Sequence, residues 1–597
     1  MNLPKLGYLS TSRIVTENFT GYDHRLRVRD GAFFDMQNLT GDHAPLLASR
    51  KPRSQAATLT NPGGLIEKDA LCYVADGTLY VNGAATSITG LSAGEKQLVG
   101  MGARIVIFPD KVYYNTEDPT DSGSLEASYS YQASGAGTGI TYQPCDVDGN
   151  PYDIDQDSAK PDEPENPANG QIWIDTSGDG HVYRQWSEVQ VTWVEIVTVY
   201  TRITFPTMGQ LDGFARYDGV TIGGNQIEDL NGEKILYGVG GKATSGSETG
   251  EQDYIVVVGL LDDSFTDESA TVSIRRELPQ MDFVCECQNR LWGCYYGPAD
   301  GKVLNEIYCS ALGDPKNWRQ YLGLSTDAWT ASVGSDGVWT GAVNYLGNPC
   351  FFKENRIHRV SISSQGAHRL DEIVCRGVQR GSHKSLCVVG ETLFYKSRTD
   401  VCAWQGGFPQ SVSEALGETN YYDAVGGSFG EKYYLSMKDG ADAWSLFVYD
   451  VKKGFWVRED ALHAACFAKV DDSLFCIASD GKLLDLQGAQ GTPEVSQTLP
   501  WMAESGILYT EYTDRKYLSR YDFKLKLGDG GRMAVWIQYD SSGEWTMEGE
   551  ILGSGLKTVV LPIRPRRCDH MKIRLEGTGE LRLFSITRIL RKGSDRG

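Results

Sequence analysis

Short stretches in which apolar and polar residues alternate recur along most of the chain, each broken by a turn at Gly, Asp or Asn. This alternation predicts a two-stranded antiparallel unit with one buried face. Eight segments share it: Leu71–Gly83, Ala103–Asn115, Phe283–Tyr296, Val343–Val360, Leu386–Tyr395, Ser428–Ser436, Ser445–Trp456 and Cys466–Leu484. From about residue 283 they recur every ~40–55 residues, the period of four-stranded propeller blades. The pattern predicts an all-β protein built around a β-propeller.

The spacing and composition divide the chain into five parts. Residues 1–60 are polar with scattered apolar positions, and we expect an extended N-terminal docking arm. Residues 61–116 hold the first propeller blade or blades, and 281–496 hold the remaining blades. Between them, 117–280 predict one or more inserted β domains with an Asp/Pro/Gly-rich linker. Residues 497–597, with about six strands separated by Gly turns, predict a C-terminal β-sandwich.

A second mark of blades is an Asp followed a few residues later by a Trp. It appears at Asp314–Trp318, Asp400–Trp404 and Asp450–Trp456. In antiparallel blades a turn Asp caps the loop and a Trp packs between neighbouring blades. The same spacing also occurs in simple hairpins. Three more tryptophans, Trp173, Trp186 and Trp193, are candidates for the core of a small sheet within the insert.

The formal net charge of -21 argues against general nucleic-acid binding, which needs clustered cations. It is compatible with DNA passing along the protein without binding to it, because an acidic surface repels a polyanion. The predicted sandwich is basic by contrast, which suggests a docking surface for an acidic partner; a solvated face is the equal alternative. Its cations are Lys524, Lys526, Arg564, Arg566, Arg567, Lys572, Arg574, Arg582, Arg588, Arg591 and Lys592.

The remaining bulk features point to a chain without export or membrane signals. No apolar run reaches the ~18–20 residues of a membrane span, and the N-terminal segment lacks the apolar core of a secretory signal. The 13 cysteines are scattered and odd in number. Most lie in strand-like apolar runs, where we expect reduced core thiols rather than a disulfide framework.

Three motifs contain residues of the kinds that support catalysis or metal binding. GGSFG at 426–430 has the spelling of a nucleophile elbow, but Ser428 leads into a strand and not a helix, so a Gly-rich loop between blades is favoured. Asp175, Ser177, Asp179 and Gly180 are in register with a calcium loop, yet Trp186 stands where a bidentate Glu is needed. Together with DIDQD at 153–157, this leaves weak calcium binding as an alternative to an Asp-rich turn.

The third motif is a group of cysteines on an alternating strand. Cys285 and Cys287 would point to one face, with Cys294 just beyond the turn. Zinc sites usually need a wider spacing and a second pair, so core packing is favoured. The eight histidines form no metal or catalytic signature, and no phosphate-binding loop is present. The sequence therefore predicts no catalytic, cofactor-binding or metal-binding residue, no cofactor and no enzymatic activity.

Several segments together resemble the tail hub or nozzle proteins of short-tailed bacteriophages, also called tail accessory or stabilisation proteins. The residues that carry the resemblance are GAFFDMQNLTGDHAPLLASRKPR (31–53), ALCYVADGTLYVNG (70–83), GMGARIVIFPDKVYYN (100–115) and RLFSITRILRKG (582–593). WIDTSGDGHVYRQW (173–186) is similar to small β modules of phage tail and fibre proteins. The inserted region departs from the family pattern and leaves the tail type open.

The resemblance implies a structural protein of the virion tail, made in the cytoplasm of the host bacterium. Family members form a ring, typically a homohexamer, below the portal and adaptor, where they retain the genome and conduct it during DNA ejection. The implied partners are further copies of the chain, the adaptor or head–tail connector, tail fibre or needle proteins, and genomic DNA passing without sequence-specific contacts. Two alternatives remain: a glycan-binding propeller (a lectin or adhesin), and a propeller hydrolase acting on polysaccharide through paired carboxylates.

Overall fold

A computed structural model describes residues 11–154, 157–178, 180–242, 250–299, 301–320, 323–363, 366–508 and 515–592. Within these residues the protein is all-β, and almost all strand pairs are antiparallel. The helical elements of the described chain are short 3-10 turns: Glu228–Leu230, His383–Ser385, Glu414–Leu416 and Ser496–Thr498. None of the helices in these ranges has the length and apolarity needed to cross a bilayer.

The N-terminal arm contributes strands to sheets that are formed mostly by distant parts of the chain. Of the apolar positions expected to dock, Phe33, Met36 and Leu47 are buried. Phe34 and Leu46 are half-buried. The arm strands are β1 (Thr11–Thr16), β2 (Phe33–Gln37), β3 (Leu39–Thr40), β4 (Leu47–Ser49) and β5 (Ser54–Thr58).

Two four-stranded sheets follow the arm. The first hairpin turns at Asp76 and Gly77, whose φ values of 47° and 68° suit a tight turn between twisted strands. Sheet 2 ends with a strand that lies beyond the predicted end of the first blades at 116. Sheet 1 contains β6 (Pro62–Glu67), β7 (Leu71–Ala75), β8 (Thr78–Val81) and β9 (Ala84–Ala85); sheet 2 contains β10 (Gln97–Met101), β11 (Arg104–Phe108), β12 (Val112–Asn115) and β13 (Gly123–Ser124).

The next part of the chain forms three sheets of its own. Two larger sheets share a core that includes Ile203, Phe205 and Ile274, and they have the strand orders β14-β26-β21-β22 and β23-β24-β20-β15-β25. A small sheet, β16-β17-β18-β19, lies in the connection between β15 and β20. The strands are β14 (Ala127–Gln132), β15 (Ile140–Cys145), β16 (Ala159–Lys160), β17 (Ile172–Asp175), β18 (Val182–Ser187), β19 (Thr192–Glu195), β20 (Tyr200–Thr204), β21 (Gly219–Gly223), β22 (Gly232–Ile235), β23 (Gly238–Lys242), β24 (Glu251–Val258), β25 (Phe265–Asp267) and β26 (Thr271–Arg276).

The tryptophans of the small sheet do not form its core. That core contains Ile174 and Tyr183. Trp193 instead packs edge-on against Trp173 and Trp186, with ring centroids 5.5 Å apart in each pair. Because successive residues of a strand point to opposite faces, the neighbours Trp173 and Ile174 cannot share one side of the sheet.

Five further sheets, numbered 3 to 7, follow in chain order. Sheets 3 to 6 have four strands each, and sheet 7 has five because the arm strand β5 joins it. Their strands are β27 (Phe283–Glu286), β28 (Leu291–Ala299), β29 (Lys302–Cys309) and β30 (Trp329–Ser332); β31 (Gly341–Tyr345), β32 (Asn348–Lys353), β33 (Arg356–Ile362) and β34 (His368–Val374); β35 (Cys387–Val389), β36 (Thr392–Lys396), β37 (Val401–Trp404) and β38 (Gln410–Ser411); β39 (Tyr421–Phe429), β40 (Lys432–Asp439), β41 (Trp444–Asp450) and β42 (Phe455–Asp460); β43 (Ala464–Val470), β44 (Ser473–Ala478), β45 (Lys482–Asp485) and β46 (Thr492–Pro493).

The seven numbered sheets contact one another in cyclic order, which makes the fold propeller-like. Six of the seven contacts join first strands, and sheets 4 and 5 meet through β31 and the 3-10 turn His383–Ser385 that precedes β35. The ring closes because sheet 7 contacts sheet 1 through β43 and β6. Strand β5, which the sequence placed in the arm, pairs with β45 in sheet 7, with Thr58 opposite Lys482 and Ser54 opposite Asp485. A closed ring leaves no inner sheet face unpaired. All eight predicted hairpins are confirmed as adjacent antiparallel strands.

The predicted Asp–Trp marks lie where neighbouring sheets meet. Trp318 belongs to a core shared by sheets 2 and 3. Trp404 of sheet 5 packs on Tyr345 of sheet 4, with ring centroids 5.0 Å apart. Trp456 of sheet 6 donates its indole N–H to the carbonyl of Val412, next to sheet 5, at 2.7 Å. The expectation that these tryptophans pack between neighbours is confirmed.

The Asp residues of these marks divide into two groups. Asp314 accepts a hydrogen bond from the backbone N–H of Lys316 at 2.9 Å, and Asp450 accepts one from that of Lys453 at 3.0 Å. These two cap their turns as expected. Asp400 instead pairs with Arg376.

The last strands form two sheets that face each other across a core shared with the arm and sheet 6. Their orders are β3-β4-β53-β48-β51, with β1 also paired to β53, and β2-β47-β52-β49-β50. The new strands are β47 (Pro500–Ser505), β48 (Lys516–Leu527), β49 (Arg532–Tyr539), β50 (Trp545–Leu552), β51 (Gly555–Pro562), β52 (Met571–Thr578) and β53 (Leu581–Lys592).

Candidate functional site

The central channel of the ring is the first place to look for chemistry in a propeller-like fold. First strands of the sheets and the 3-10 turn His383–Ser385 line a cavity of about 270 Å³. Much of the wall is apolar, with Phe283, Leu386 and Phe467 among the lining residues. A space of this size holds a few water molecules or a small ligand, and a DNA duplex is far wider.

An ionic contact crosses this channel from one side of the ring to the other. Glu95, on the loop before β10 of sheet 2, accepts a hydrogen bond from Nε2 of His383 at 2.9 Å. Nζ of Lys384 lies 3.2 Å from the same carboxylate oxygen. Lys384 also donates to the carbonyl of Ala465 in sheet 7 at 2.9 Å. The group therefore connects sheet 2, the entry to sheet 5, and sheet 7.

The protonation state of Glu95 limits what this group does chemically. Burial by itself raises the pKa of the carboxyl, but the hydrogen bond from His383 and the charge of Lys384 outweigh it and lower the pKa to about 2. Glu95 is therefore ionised at neutral pH. Glycoside hydrolysis needs a carboxyl group that donates a proton and a second carboxylate. Glu95 is the one carboxylate among the described lining residues, so the channel offers no such pair.

A larger cavity, of about 1410 Å³, lies between the arm, the loop 414–419 and the C-terminal sheets. Two of its cations are engaged in the fold. Arg25 pairs with Asp23 within the arm at 2.7 Å, and Arg588 pairs with Asp30 at 2.5 Å. The second contact joins the arm to the C-terminal sheets.

The GGSFG segment belongs to an innermost strand. Ser428 lies in β39, opposite Tyr433 of β40, so it is not on a strand-to-helix turn. The segment is also not the loop between blades that the sequence favoured. Its glycines allow close packing: a Cβ at Gly427 would lie 2.6 Å from Phe467, and one at Gly426 would lie 2.8 Å from the Tyr433 ring.

The calcium-like segment is engaged in its own turn. Asp175 accepts hydrogen bonds from the backbone N–H of Ser177 at 3.0 Å and from its hydroxyl at 2.6 Å, and these bonds lower the pKa of Asp175. Arg184 donates to the other carboxylate oxygen at 3.3 Å. Asp179, and Asp155 and Gln156 of DIDQD, lie outside the described residues. Across the described ranges, no three His, Cys, Asp or Glu side chains lie together as a metal site requires.

Most of the cysteines are buried in the core, as expected for small hydrophobic residues. Cys285, Cys287 and Cys294 belong to one cluster between sheets 3 and 4 with Trp292 and Phe351. Burial raises the pKa of Cys287 to about 12 and that of Cys285 and Cys294 well above the usual value. Protonated thiols are poor metal ligands, which fits the core-packing interpretation.

The cations of the predicted basic strands are divided among four environments. Lys524, Lys526, Arg582 and Arg591 lie on the outward side of the sheet β53-β48-β51. Arg574 and Lys572, on the other sheet, approach Glu504, with Arg574 at 2.6 Å. Arg588 is buried against Asp30. The remaining cations are exposed or half-exposed at the loop after β51 and the end of β53: Arg564, Arg566, Arg567 and Lys592.

Two polar clusters were not foreseen from the sequence. Glu95 and His383 are separated by 288 positions, so no local motif joins them. His358 is fully buried, with its Nε2 lying 3.0 Å from the Ser335 hydroxyl and 3.3 Å from Glu372. Burial is the main cause that lowers the pKa of His358 to about 4. A polar residue in an alternating apolar strand, as in RIHRV, was the available signal.

Comparisons with known proteins find only distant structural similarity. No protein-family model and no curated protein match the chain. It is similar to the exo-beta-1,3-galactanase of Phanerochaete chrysosporium at 10% identity and a TM-score of 0.22, covering 51% of this chain and 94% of that one. It is also similar to an arabinoxylan arabinofuranohydrolase of glycoside hydrolase family 43 from Bacillus subtilis, at 7% identity and a TM-score of 0.17, covering 51% of this chain and 94% of that one. Its similarity to Trypanosoma rangeli sialidase is at 9% identity and a TM-score of 0.18, covering 69% of this chain and 87% of that one. These similarities assign the chain to no family.

Proposed function

We propose that the seven numbered sheets are the blades of a β-propeller, that β14–β26 are a β domain inserted after the last strand of sheet 2, and that β47–β53 with the arm strands β1–β4 form a β-sandwich. The cyclic contacts between neighbouring sheets support the propeller. The separate core of β14–β26 supports the insert. Two sheets that face each other across one core support the sandwich.

On this architecture the chain acts as a structural subunit of a bacteriophage tail. Further copies form a hub or nozzle ring below the portal and adaptor, which retains the genome and conducts it at ejection. The observation that carries this proposal is the closed block of sheets whose channel is crossed by Glu95, His383 and Lys384. A propeller leaves only short sheet edges, which favours side-by-side packing of such blocks over growth into fibres.

The narrow channel also places a condition on the path of DNA. A cavity of about 270 Å³ does not pass a duplex, so the lumen must lie between copies and not through one chain. Head-to-tail contacts between identical subunits generate such a ring when the rotation closes. The net charge of -21 favours passage without adhesion. The insert, as a separate module, is suited to holding a fibre or touching the host.

The test is cryo-electron microscopy of particles from the phage that encodes the chain, with peptide mass spectrometry to confirm its presence in them. We expect density for a ring of propellers on the tail axis. Absence from the particles overturns the proposal. Placement only at a fibre tip replaces it with the glycan-binding alternative, which a glycan array with the purified chain would then test directly.

A further inference from the structure

The outward side of the sheet β53-β48-β51 is a basic face that no other described element covers. Its exposed cations are Arg13, Lys524, Lys526 and Arg591. None of these four forms an ion pair within the described residues. The same face exposes aliphatic side chains between the cations, with Val15 at 44%, Leu556 at 61% and Val560 at 54% exposure. We call this surface, defined by these seven residues, the basic face.

The small sheet of the insert carries a surface of the opposite sign. The turn of its β18–β19 hairpin and the segment after β19 expose three valines: Val189, Val191 and Val197. Five carboxylates of this hairpin and of the loop before β17 are exposed and form no ion pair within the described chain: Asp162, Glu163, Glu165, Glu188 and Glu195. We call these eight residues the acidic module.

The loop that carries three of these carboxylates is tied to the small sheet at both ends. The indole N–H of Trp173 donates to the carbonyl of Lys160 at 2.8 Å, before the loop. The side-chain oxygen of Asn169, after it, accepts a hydrogen bond from the backbone N–H of Glu188 at 3.0 Å. The loop and the hairpin therefore form one continuous surface.

The two regions of the chain that carry these surfaces also differ in overall charge. Residues 497–597 contain 17 Lys and Arg against 13 Asp and Glu, whereas residues 117–280 contain 8 against 29. The two regions also join the ring on opposite sides. The insert leaves between sheets 2 and 3, whereas the strands β2 and β3 of the C-terminal sheets contact β42 of sheet 6. Three sheets therefore lie between the two attachment points in either direction.

We propose that the basic face of one copy docks on the acidic module of a second copy. This deepens the proposed function, because it names the contact by which copies join into a ring. Each surface repels a second copy of itself, so pairing about a two-fold axis is disfavoured and a head-to-tail contact is favoured. The exposed aliphatic residues on both sides supply the apolar area that an interface centre needs. A DNA duplex presents mainly phosphate and sugar and offers little apolar area to Leu556 and Val560, so it is the less favoured occupant of the basic face.

The experiment uses the purified full-length chain and sedimentation equilibrium in about 50 mM and about 500 mM NaCl. We expect association at the lower salt and weaker association at the higher salt. Lys524→Glu/Lys526→Glu and Asp162→Lys/Glu163→Lys should each raise the dissociation constant by roughly tenfold or more. A chain with both pairs of reversals should recover association, because opposite charges face each other again. Lys302→Glu/Lys469→Glu, a change of equal charge at exposed positions outside both surfaces, should have little effect.

Three results would overturn the docking proposal. The chain could remain monomeric at low salt up to about 0.1 mM. The two reversals could fail to compensate in combination. Alternatively, the monomeric chain could bind a DNA duplex in a gel-shift assay and lose this binding with Lys524→Glu/Lys526→Glu, which would assign the basic face to nucleic acid. The proposed tail function fails by a different measurement, absence from phage particles, so the two failures are distinguishable.

Discussion

The insert and the C-terminal sheets are both two-sheet additions to the ring, but they are joined to it in different ways. The C-terminal sheets share one continuous core with the arm and sheet 6, in which Phe33, Trp456 and Leu525 are buried together. The insert keeps a core of its own around Phe205. It contacts sheet 3 mainly through polar groups, such as the Asn317 amide that donates to the carbonyl of Tyr217 at 2.8 Å. A shared core couples unfolding, whereas polar contacts leave a module separable.

Among the changes that test this difference, Trp456→Ala should cause the largest loss of stability. Trp456 is 1% exposed and packs against Tyr449, with ring centroids 4.9 Å apart. Its truncation should cost about 4 kcal/mol of stability. Hydrogen exchange should show lost protection in sheet 6 and in the C-terminal sheets together. Unchanged protection of the C-terminal sheets would show that the two parts are not coupled.

Phe205→Ala is the matching change in the insert. The side chain is fully buried, and its loss should also cost about 4 kcal/mol, but only within the insert. Peptides from β14–β26 should exchange faster while those of the numbered sheets keep their protection. Equal loss in the ring would contradict the view of the insert as a separable module.

Arg53→Met tests how strongly ion pairs hold the arm to sheet 6. Arg53 is buried and lies 2.7 Å from both Glu459 and Asp460. Removing the cation leaves Glu459 buried without its partner, at a cost of about 3 kcal/mol in chemical denaturation. Arg369→Met is the control, because Arg369 is 81% exposed and its pair with Asp371 should contribute under about 1 kcal/mol. Equal effects of the two changes would refute this account.

Acid should weaken the ring through His358. Burial, with the nearby charges of Lys353 and Arg356, outweighs Glu372 and lowers the folded-state pKa of His358 to about 4, against about 6.5 in the unfolded chain. The unfolded state therefore binds the proton first, and stability falls as pH drops from about 6.5 toward 4. His358→Asn should flatten thermal unfolding against pH in this window. An unchanged slope would assign the acid sensitivity to other groups.

The smallest expected effect is a stabilisation of the insert by Val191→Asn. Val191 has φ of 52°, in the left-handed region that a β-branched residue disfavours and Asn tolerates. The change should add about 1 kcal/mol to the stability of the small sheet. Val189→Asn, at a neighbouring exposed position without positive φ, should be close to neutral. If the acidic module docks as proposed, both changes should also weaken association, because each removes an exposed valine.

The hairpins were predictable because their signals are local. In LCYVADGTLYVNG, alternation selects the buried positions Cys72, Val74 and Leu79, and Asp76 with Gly77 supplies the turn. The packing of Trp318 and Trp404 between neighbouring sheets was also predictable, since a large aromatic residue near a turn fits into the space between two sheets. The prediction of a loop at GGSFG was wrong. Gly427 lies in strand β39, where close packing on Phe467 leaves no room for a Cβ.

The candidate site was less accessible to sequence reasoning. Eleven of the 17 cations in residues 497–597 suggested one docking surface, but side-chain direction divides them, and Arg574 and Arg588 are engaged by Glu504 and Asp30. The channel contact of Glu95 with His383 depends on the curvature of the whole ring. Sequence spacing cannot predict such a contact, because the two side chains come from opposite sides of the ring.

The sequence by itself determined that the chain is all-β, where its strands turn, and which residues form the cores of individual hairpins. These properties depend on steric preferences and side-chain alternation over a few neighbouring residues. Only the tertiary structure decided that β5 closes the ring with β45, that the arm is buried against sheet 6, and that opposite charges lie at opposite sides of the molecule. Such pairings join segments hundreds of residues apart, and their choice depends on how the whole chain closes rather than on any local pattern.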